Sequence, residues 1–301
     1  MILMAKRIHS KAKTSKDIIN QKPEFRILAF LNAHKKGTDC KTKELVPFTR
    51  QEIANFTGLR VETVIRAFAK NTATELIQVY SRQKNIPSSL LDPAKVINDY
   101  SLLLKADLYI IAVSDDAIPT VSAQLPFKNR LVVHTSGSVA LGALDDKNRK
   151  GVFYPLQTFS KDKLVDFKTI PICLESKNAT DFQLLEKVAK SISNKVFAIN
   201  SEQRKALHVA AVFVNNFVNH LYEIGNTICD ENKIPFEILK PLILETAEKI
   251  KTLSPKEAQT GPAKRNDSKT IETHQSFLTD ENQSTIYKIL TQSIQNNGKK
   301  L

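Results

Sequence analysis

The chain has no tryptophan, two methionines and three cysteines in 301 residues. Cys40, Cys173 and Cys229 stand far apart. That spacing excludes a cysteine-held metal or a dithiol redox motif and fits a reducing cytoplasm. Glycine is scarce too: Gly37, Gly58, Gly137, Gly142, Gly151, Gly225, Gly261 and Gly298, no two of them separated by a single residue. A G-x-G turn that cradles phosphate with backbone N–H groups is therefore excluded. Long hydrophobic runs are missing as well. The most apolar helical stretch, residues 207–221, is broken by Asn215, Asn216 and Asn219. No segment reaches the ~18–20 apolar residues of a membrane span, and Met1-Ile2-Leu3-Met4 is far short of a signal-peptide core. The expectation is a soluble, cytoplasmic chain without a membrane partner or a bound metal.

What is present is positive charge, unevenly spread. The net charge is +13. Residues 1–70 hold 15 Lys+Arg against 6 Asp+Glu, an excess of nine; the rest hold 29 against 25, an excess of four. Such asymmetry points to a polyanionic partner for the first part, most often nucleic acid, or else to a lysine-rich solubilising surface.

Within that basic part, Phe25, Leu28, Ala29 and Leu31 recur at helical spacing and stop near Gly37. The informative stretch is residues 48–68. Thr49 followed by Glu52 forms a capping box. Ile53, Ala54 and Phe56 give a first short helix its apolar side, and Gly58 lets the chain leave it sharply. Val61, Val64, Ile65 and Phe68 form the buried stripe of a second helix. Arg50, Arg60, Glu62, Thr63 and Arg66 are left as candidates for contacting duplex DNA. Residues 23–69 resemble the helix-turn-helix domain of the cyclic-AMP-receptor-protein/FNR family of bacterial regulators. In that family Glu62, Thr63 and Arg66 fall on positions that meet bases or phosphate. The sequence departs from it at Val61, where many members carry a base-reading arginine, and lacks a following β-hairpin wing.

From residue 75 the period changes. Glu75–Arg82 reads as a strand, residues 95–104 as a short helix, Asp107–Ser114 as a central strand, residues 115–125 as a helix and Leu131–His134 as another buried strand. Ile170–Leu174 and a helix over 180–192 follow. The chain then turns helical: a long helix over 200–225, another over 235–251, a loop over 254–267 and two last helices over 268–279 and 281–296. Leu207, Ala210, Ala211, Val214, Phe217, Val218 and Leu221 form an apolar side of the long helix. Strands alternating with helices imply a parallel α/β sheet with ligands at the carboxyl ends of its strands. Polar segments lie there: Ser81-Arg82, Ser114-Asp115, His134-Thr135-Ser136 and Tyr154–Thr158.

Residues 70–293 resemble the Rossmann-like family that carries the domain of unknown function 2520, a group of bacterial NADP-dependent oxidoreductases. The likeness is carried by residues 77–82, 107–118, 132–138, 151–160, 200–221 and 253–267. It implies an α/β fold: a truncated Rossmann-like parallel sheet (70–175) followed by an all-helical substrate and dimerisation domain (176–301), preceded by the helix-turn-helix segment (1–69). It implies NADP as cofactor, with Ser81 and Arg82 on the 2′-phosphate and Ser114, Asp115, His134 and Ser136 toward the nicotinamide. Tyr154, Gln157, His208, Asn215, Gln259, Thr260 and Arg265 become candidates for the substrate cleft, and the C-terminal helices for a homodimer. No catalytic residue carries over.

One part of that family's pattern is missing. Its first strand and Gly-x-Gly-Asn turn are replaced here by the helix-turn-helix segment. Losing two charge-assisted bonds to the pyrophosphate, of ~2 kcal/mol each, costs ~4 kcal/mol, about a thousand-fold in affinity. The sheet also loses its central first strand. Three readings stay open: an oxidoreductase with an impaired cofactor site, a DNA-binding regulator using the body as sensor and dimerisation domain, or a non-functional gene fusion.

Overall fold

The computed structural model describes residues 74–81, 92–159 and 165–299. Residues 48–68, with all five candidate DNA contacts, and Arg82 lie outside the described residues. The chain divides into a unit ending at Val209 and a second beginning at Ala210.

In the first unit, β-branched and aromatic residues form the strands. These are β1 (Val79–Tyr80), β2 (Val96–Ile97), β3 (Tyr109–Ile111), β4 (Leu131–His134), β5 (Arg149–Pro155), β6 (Pro171–Ser176) and β7 (Lys195–Ala198). Two α-helices separate them, α1 (Ile118–Gln124) and α2 (Ala179–Ile192), and α3 (Ser201–Ala211) follows β7. β1 and β2 pair parallel as a separate ribbon, while β3 to β7 form one sheet in sequence order. β3, β4 and β5 run parallel, with Ile110 opposite Val133 and Val133 opposite Gly151. β6 turns antiparallel to β5, with Phe153 opposite Leu174, and β7 returns parallel to β6. All four residues of β4 are buried, as its unbroken apolar run requires of a central strand.

α2 starts at Asn178, whose Oδ1 accepts from the N–H groups of Thr180 (2.8 Å) and Asp181 (3.3 Å). Its Leu185, Val188, Ala189 and Ile192 are buried with Leu131, Val133, Phe153, Ile172 and Leu174 in the main core. Gly151 makes room for that packing: a Cβ there would stand 2.9 Å from both Leu185 and Val133.

A cavity of about 710 Å³ is lined by residues of β1 and of β3, together with Tyr100, Leu104 and Val188. Among the described residues no strand lies between β1 and β3. Tyr109 and Ile110 are left half-buried although their run reads as fully central. β1 is instead tied down from its β2 side. Tyr80 stacks on Tyr100 at 4.1 Å, Lys95 Nζ donates to Leu76 O at 2.9 Å, and Gln78 bonds Leu102 O and Leu104 N.

One expectation needs correction here. Residues 95–104 are not a helix. They hold β2 and a single 3-10 turn, Tyr100–Leu102, because Val96 and Ile97 pair with β1 and Asp99 accepts from Ser101 N at 2.8 Å. The parallel sheet is as expected, with one reversal, at β6. β7 has no buried pattern and gave no sequence signal.

The second unit is helical. It holds a π turn (Val212–Phe217), α4 (Val218–Glu231), α5 (Lys240–Lys249), α6 (Pro255–Ala258), α7 (Pro262–Arg265), α8 (Ser268–Phe277) and α9 (Glu281–Lys299). α6 and α7 replace the expected loop. Ser254 and Glu257 form a reciprocal capping box, and Pro255 sits where a helix loses nothing by lacking an N–H. α7 packs against α8 and α9. Few side chains of this unit are buried; Cys229, Ala263, Ile271 and Thr291 are. Val214 is 74% exposed, and Phe213, Ile238, Leu242 and Leu244 are each more than 60% exposed. The stripe expected to be buried is thus largely uncovered. Among the described residues no helix is long and apolar enough to cross a membrane.

Candidate functional site

Because β3, β4 and β5 are parallel, their carboxyl ends fall on one edge of the sheet, where α/β proteins bind ligands. β3 leads into Ser114 and Asp115, β4 into the Thr135–Val139 turn, and β5 ends at Tyr154 and Pro155. The Thr135 N–H donates to Ile111 O at 3.3 Å and holds the first two ends together. Ser138 Oγ donates to Asp115 Oδ2 at 2.5 Å, joining the turn after β4 to the residues after β3.

His134 closes β4. Its ring is fully buried, and Nδ1 accepts from Ser136 N at 3.2 Å. Ser136 Oγ in turn accepts from the N–H groups of Ser138 (3.1 Å) and Val139 (3.0 Å). The two side chains therefore shape the turn from inside. Burial first, and the nearby Arg204 charge second, depress the His134 pKa to about 4, so the ring is neutral at pH 7. The Ala140 backbone opposes this weakly, and Nε2 reaches hydrogen-bond geometry with no group.

Beneath the turn lies a cluster that sequence reasoning missed. Arg204, on α3, is 1% exposed and bonds Glu175 at the end of β6. Its other terminal nitrogen donates to Val139 O (2.6 Å) and Ser201 Oγ (3.2 Å). Ser201 Oγ also accepts from Leu141 N at 3.1 Å, and Ser201 donates to Glu175. The pair so pins α3, β6 and the 139–141 loop in one place. Two signals were present in the sequence: arginine four residues before His208 on one helix face, and a glutamate ending an otherwise apolar strand.

His208 and Tyr154 meet beside this cluster. Tyr154 is 9% exposed, and its hydroxyl lies 3.3 Å from His208 Nδ1. Gly137 touches both: a Cβ there would stand 2.7 Å from His208 Nδ1 and 2.7 Å from Tyr154 Cζ. Burial raises the Tyr154 phenol above its usual pKa, helped by Cys173 and Asp115 and opposed by Arg204. Burial also raises the Cys173 thiol.

The structure thus brings together Asp115, His134, Ser136, Tyr154 and His208. Ser114 is half-buried on the same edge. Ser81 ends β1, its N–H bonded to Ile97 O at 2.9 Å. Gln157 is exposed, and its Oε1 accepts from Thr158 N. In the second unit, Asn215 is exposed on the π turn, Gln259 Nε2 donates to Thr260 O, and Arg265 is exposed at the end of α7. Among the described residues no group of His, Cys, Asp and Glu is arranged to hold a metal ion.

Residues 170–294 match a family described as a domain of unknown function (DUF2520). Residues 25–95 match the Crp-like helix-turn-helix domain. That second match runs past residue 69, where the sequence pattern placed its end. β1 lies within it and pairs parallel with β2, just beyond residue 95, so these two strands form no hairpin wing. Among solved structures the chain is similar to a Bacteroides fragilis protein described as an NADP oxidoreductase, with 35% identity, covering 80% of this chain and 95% of that one, at a TM-score of 0.67. A Thermotoga maritima protein has the same fold at 21% identity, covering 79% and 95%, with a TM-score of 0.63. Comparison with the curated proteins finds no match.

Proposed function

We propose a function for this chain from its family, because it belongs to the Rossmann-like, oxidoreductase-type chains that carry the DUF2520 domain: it is an NADP-dependent oxidoreductase whose cofactor site is weakened. The observation that carries this reading is the polar set gathered on one strand edge, Asp115 bonded to Ser138 and Ser136 framing the turn. Those groups suit the nicotinamide side of the cofactor, which supplies a hydride when bound. Ser81 and Arg82 take the 2′-phosphate. His134, enclosed and neutral, serves by holding Ser136 rather than by direct contact. The pyrophosphate has no counterpart here, since no G-x-G turn exists in the chain. Substrate meets Tyr154, Gln157 and His208. Arg82→Ala tests the phosphate contact: NADPH affinity should fall by about tenfold or more, the worth of a charged hydrogen bond. Unchanged affinity would remove Arg82 from the site.

The uncovered apolar side chains of the second unit support a homodimer through the C-terminal helices. Exposed apolar side chains in such number suit an interface. A second reading rests on the match of residues 25–95 to a helix-turn-helix domain. On it, residues 48–68 bind duplex DNA and the body is sensor and dimerisation domain. Binding would then weaken steeply with salt and fall in Arg66→Ala. Salt-independent or absent binding excludes it.

A further inference from the structure

We propose that His208 is the proton donor of this site, presenting Nε2 to a carbonyl or imine heteroatom, with Tyr154 and Gly137 as the residues that position its ring. The inference rests on the oxidoreductase reading above.

Geometry carries it. The Tyr154 phenol comes from the carboxyl end of β5 and is buried, so it needs a partner; the 3.3 Å approach to His208 Nδ1 provides one. The rings meet edge to face, 6.3 Å apart at 68°. Gly137 backs the pair, leaving less than 3 Å for any side chain between backbone and rings. Nδ1 is therefore engaged inward from two sides. His208 is half-buried with Nδ1 turned to Tyr154, which leaves Nε2 as the nitrogen to meet a ligand. In the resting neutral ring the phenol, a stronger acid than an imidazole N–H, donates and Nδ1 accepts; once the ring is protonated, Nδ1–H donates to the phenol oxygen. A partner on one ring nitrogen fixes which proton the other carries. Burial keeps that phenol protonated. The same strand edge carries Asp115 and Ser136, which places His208 beside the proposed nicotinamide end.

The chemistry would balance as a reduction. A bound reduced nicotinamide would supply the hydride to the substrate carbon. The heteroatom would gain the Nε2 proton of the His208 imidazolium, in which Nδ1–H donates to the Tyr154 oxygen. The ring left neutral carries its proton on Nδ1 and recovers the other from water.

Two measurements on the full chain test this. In ¹⁵N spectra of the neutral imidazole, His208 should be the Nε2–H tautomer, and Tyr154→Phe and Gly137→Ala should both shift it toward a mixture. A wild-type ring protonated mainly on Nδ1, or one unmoved by Tyr154→Phe, overturns the positioning. In the second, NADPH oxidation is followed against small aldehydes, 2-oxo acids and cyclic imines. His208→Gln should slow hydride transfer by about 10²–10⁴-fold with NADPH affinity unchanged. Equal rates, or no turnover of any of these by the wild type, overturn the donor role. A wild-type chain that does not bind NADPH overturns the parent reading and the donor role with it, while the tautomer result still decides the ring's orientation.

Discussion

Arg204 and Glu175 form an ion pair with the arginine 1% exposed, joining α3 to the end of β6 directly under the turn that follows β4. A buried pair is costly to break one-sidedly, because the remaining charge stays desolvated. Arg204→Ala should therefore cost about 3–5 kcal/mol in urea unfolding. The double change Arg204→Met with Glu175→Leu should recover most of that. A single-variant loss below about 1 kcal/mol would mean the pair is solvated in solution.

Stability should depend on His134 below neutrality. Unfolded, its ring charges near pH 6.5; folded, it stays neutral to about pH 4. Between those values the unfolded chain binds a proton that the folded chain does not. This group therefore lowers stability progressively as pH falls from 6.5 toward 4, by roughly 3 kcal/mol in all, and has no effect above that window. His134→Asn keeps an acceptor for Ser136 N–H without titrating. Its urea midpoints should vary less with pH across that window, and an unchanged slope would assign the effect elsewhere.

The cavity beside β3 should make its edge tolerant. Ile110→Ala enlarges an existing space and should cost about 1 kcal/mol, whereas Leu131→Ala in the closed core should cost about 2–5 kcal/mol. Equal losses at the two positions would show that the space is filled in the folded protein.

The apolar face of the second unit should associate. Sedimentation of the wild-type chain should give a dimer, and Leu242→Asp, at a position 63% exposed, should give monomer at the same concentration. A wild-type monomer, or a dimer indifferent to Leu242→Asp, would remove this face from the interface.

Much of the first unit is legible in the sequence. The unbroken apolar runs at residues 109–113 and 131–133 identify β3 and β4, and the strand-end rule leads from them to Asp115, His134 and Ser136. β7 is not legible, since an exposed edge strand needs no buried period. α6 and α7 hide among prolines that read as turn formers but occupy first-turn positions. The Arg204–Glu175 pair spans 29 residues, and an arginine reads as surface until its partner is located. His208 is found by helical spacing, but its pairing with Tyr154 depends on Gly137, whose role is visible only in three dimensions. The stripe through Val214, Phe217 and Leu221 is read correctly as apolar, yet all three side chains stay exposed.

Calorimetric titration of the full chain with NADPH, and with NADH as control, tests the central claim most directly. Binding near millimolar, about a thousand-fold weaker than an intact micromolar site and selective for NADPH, is expected if Ser81 and Arg82 take the 2′-phosphate as proposed and no G-x-G turn cradles the pyrophosphate. A folded chain that binds neither cofactor at several times that concentration, or binds both alike, would contradict it.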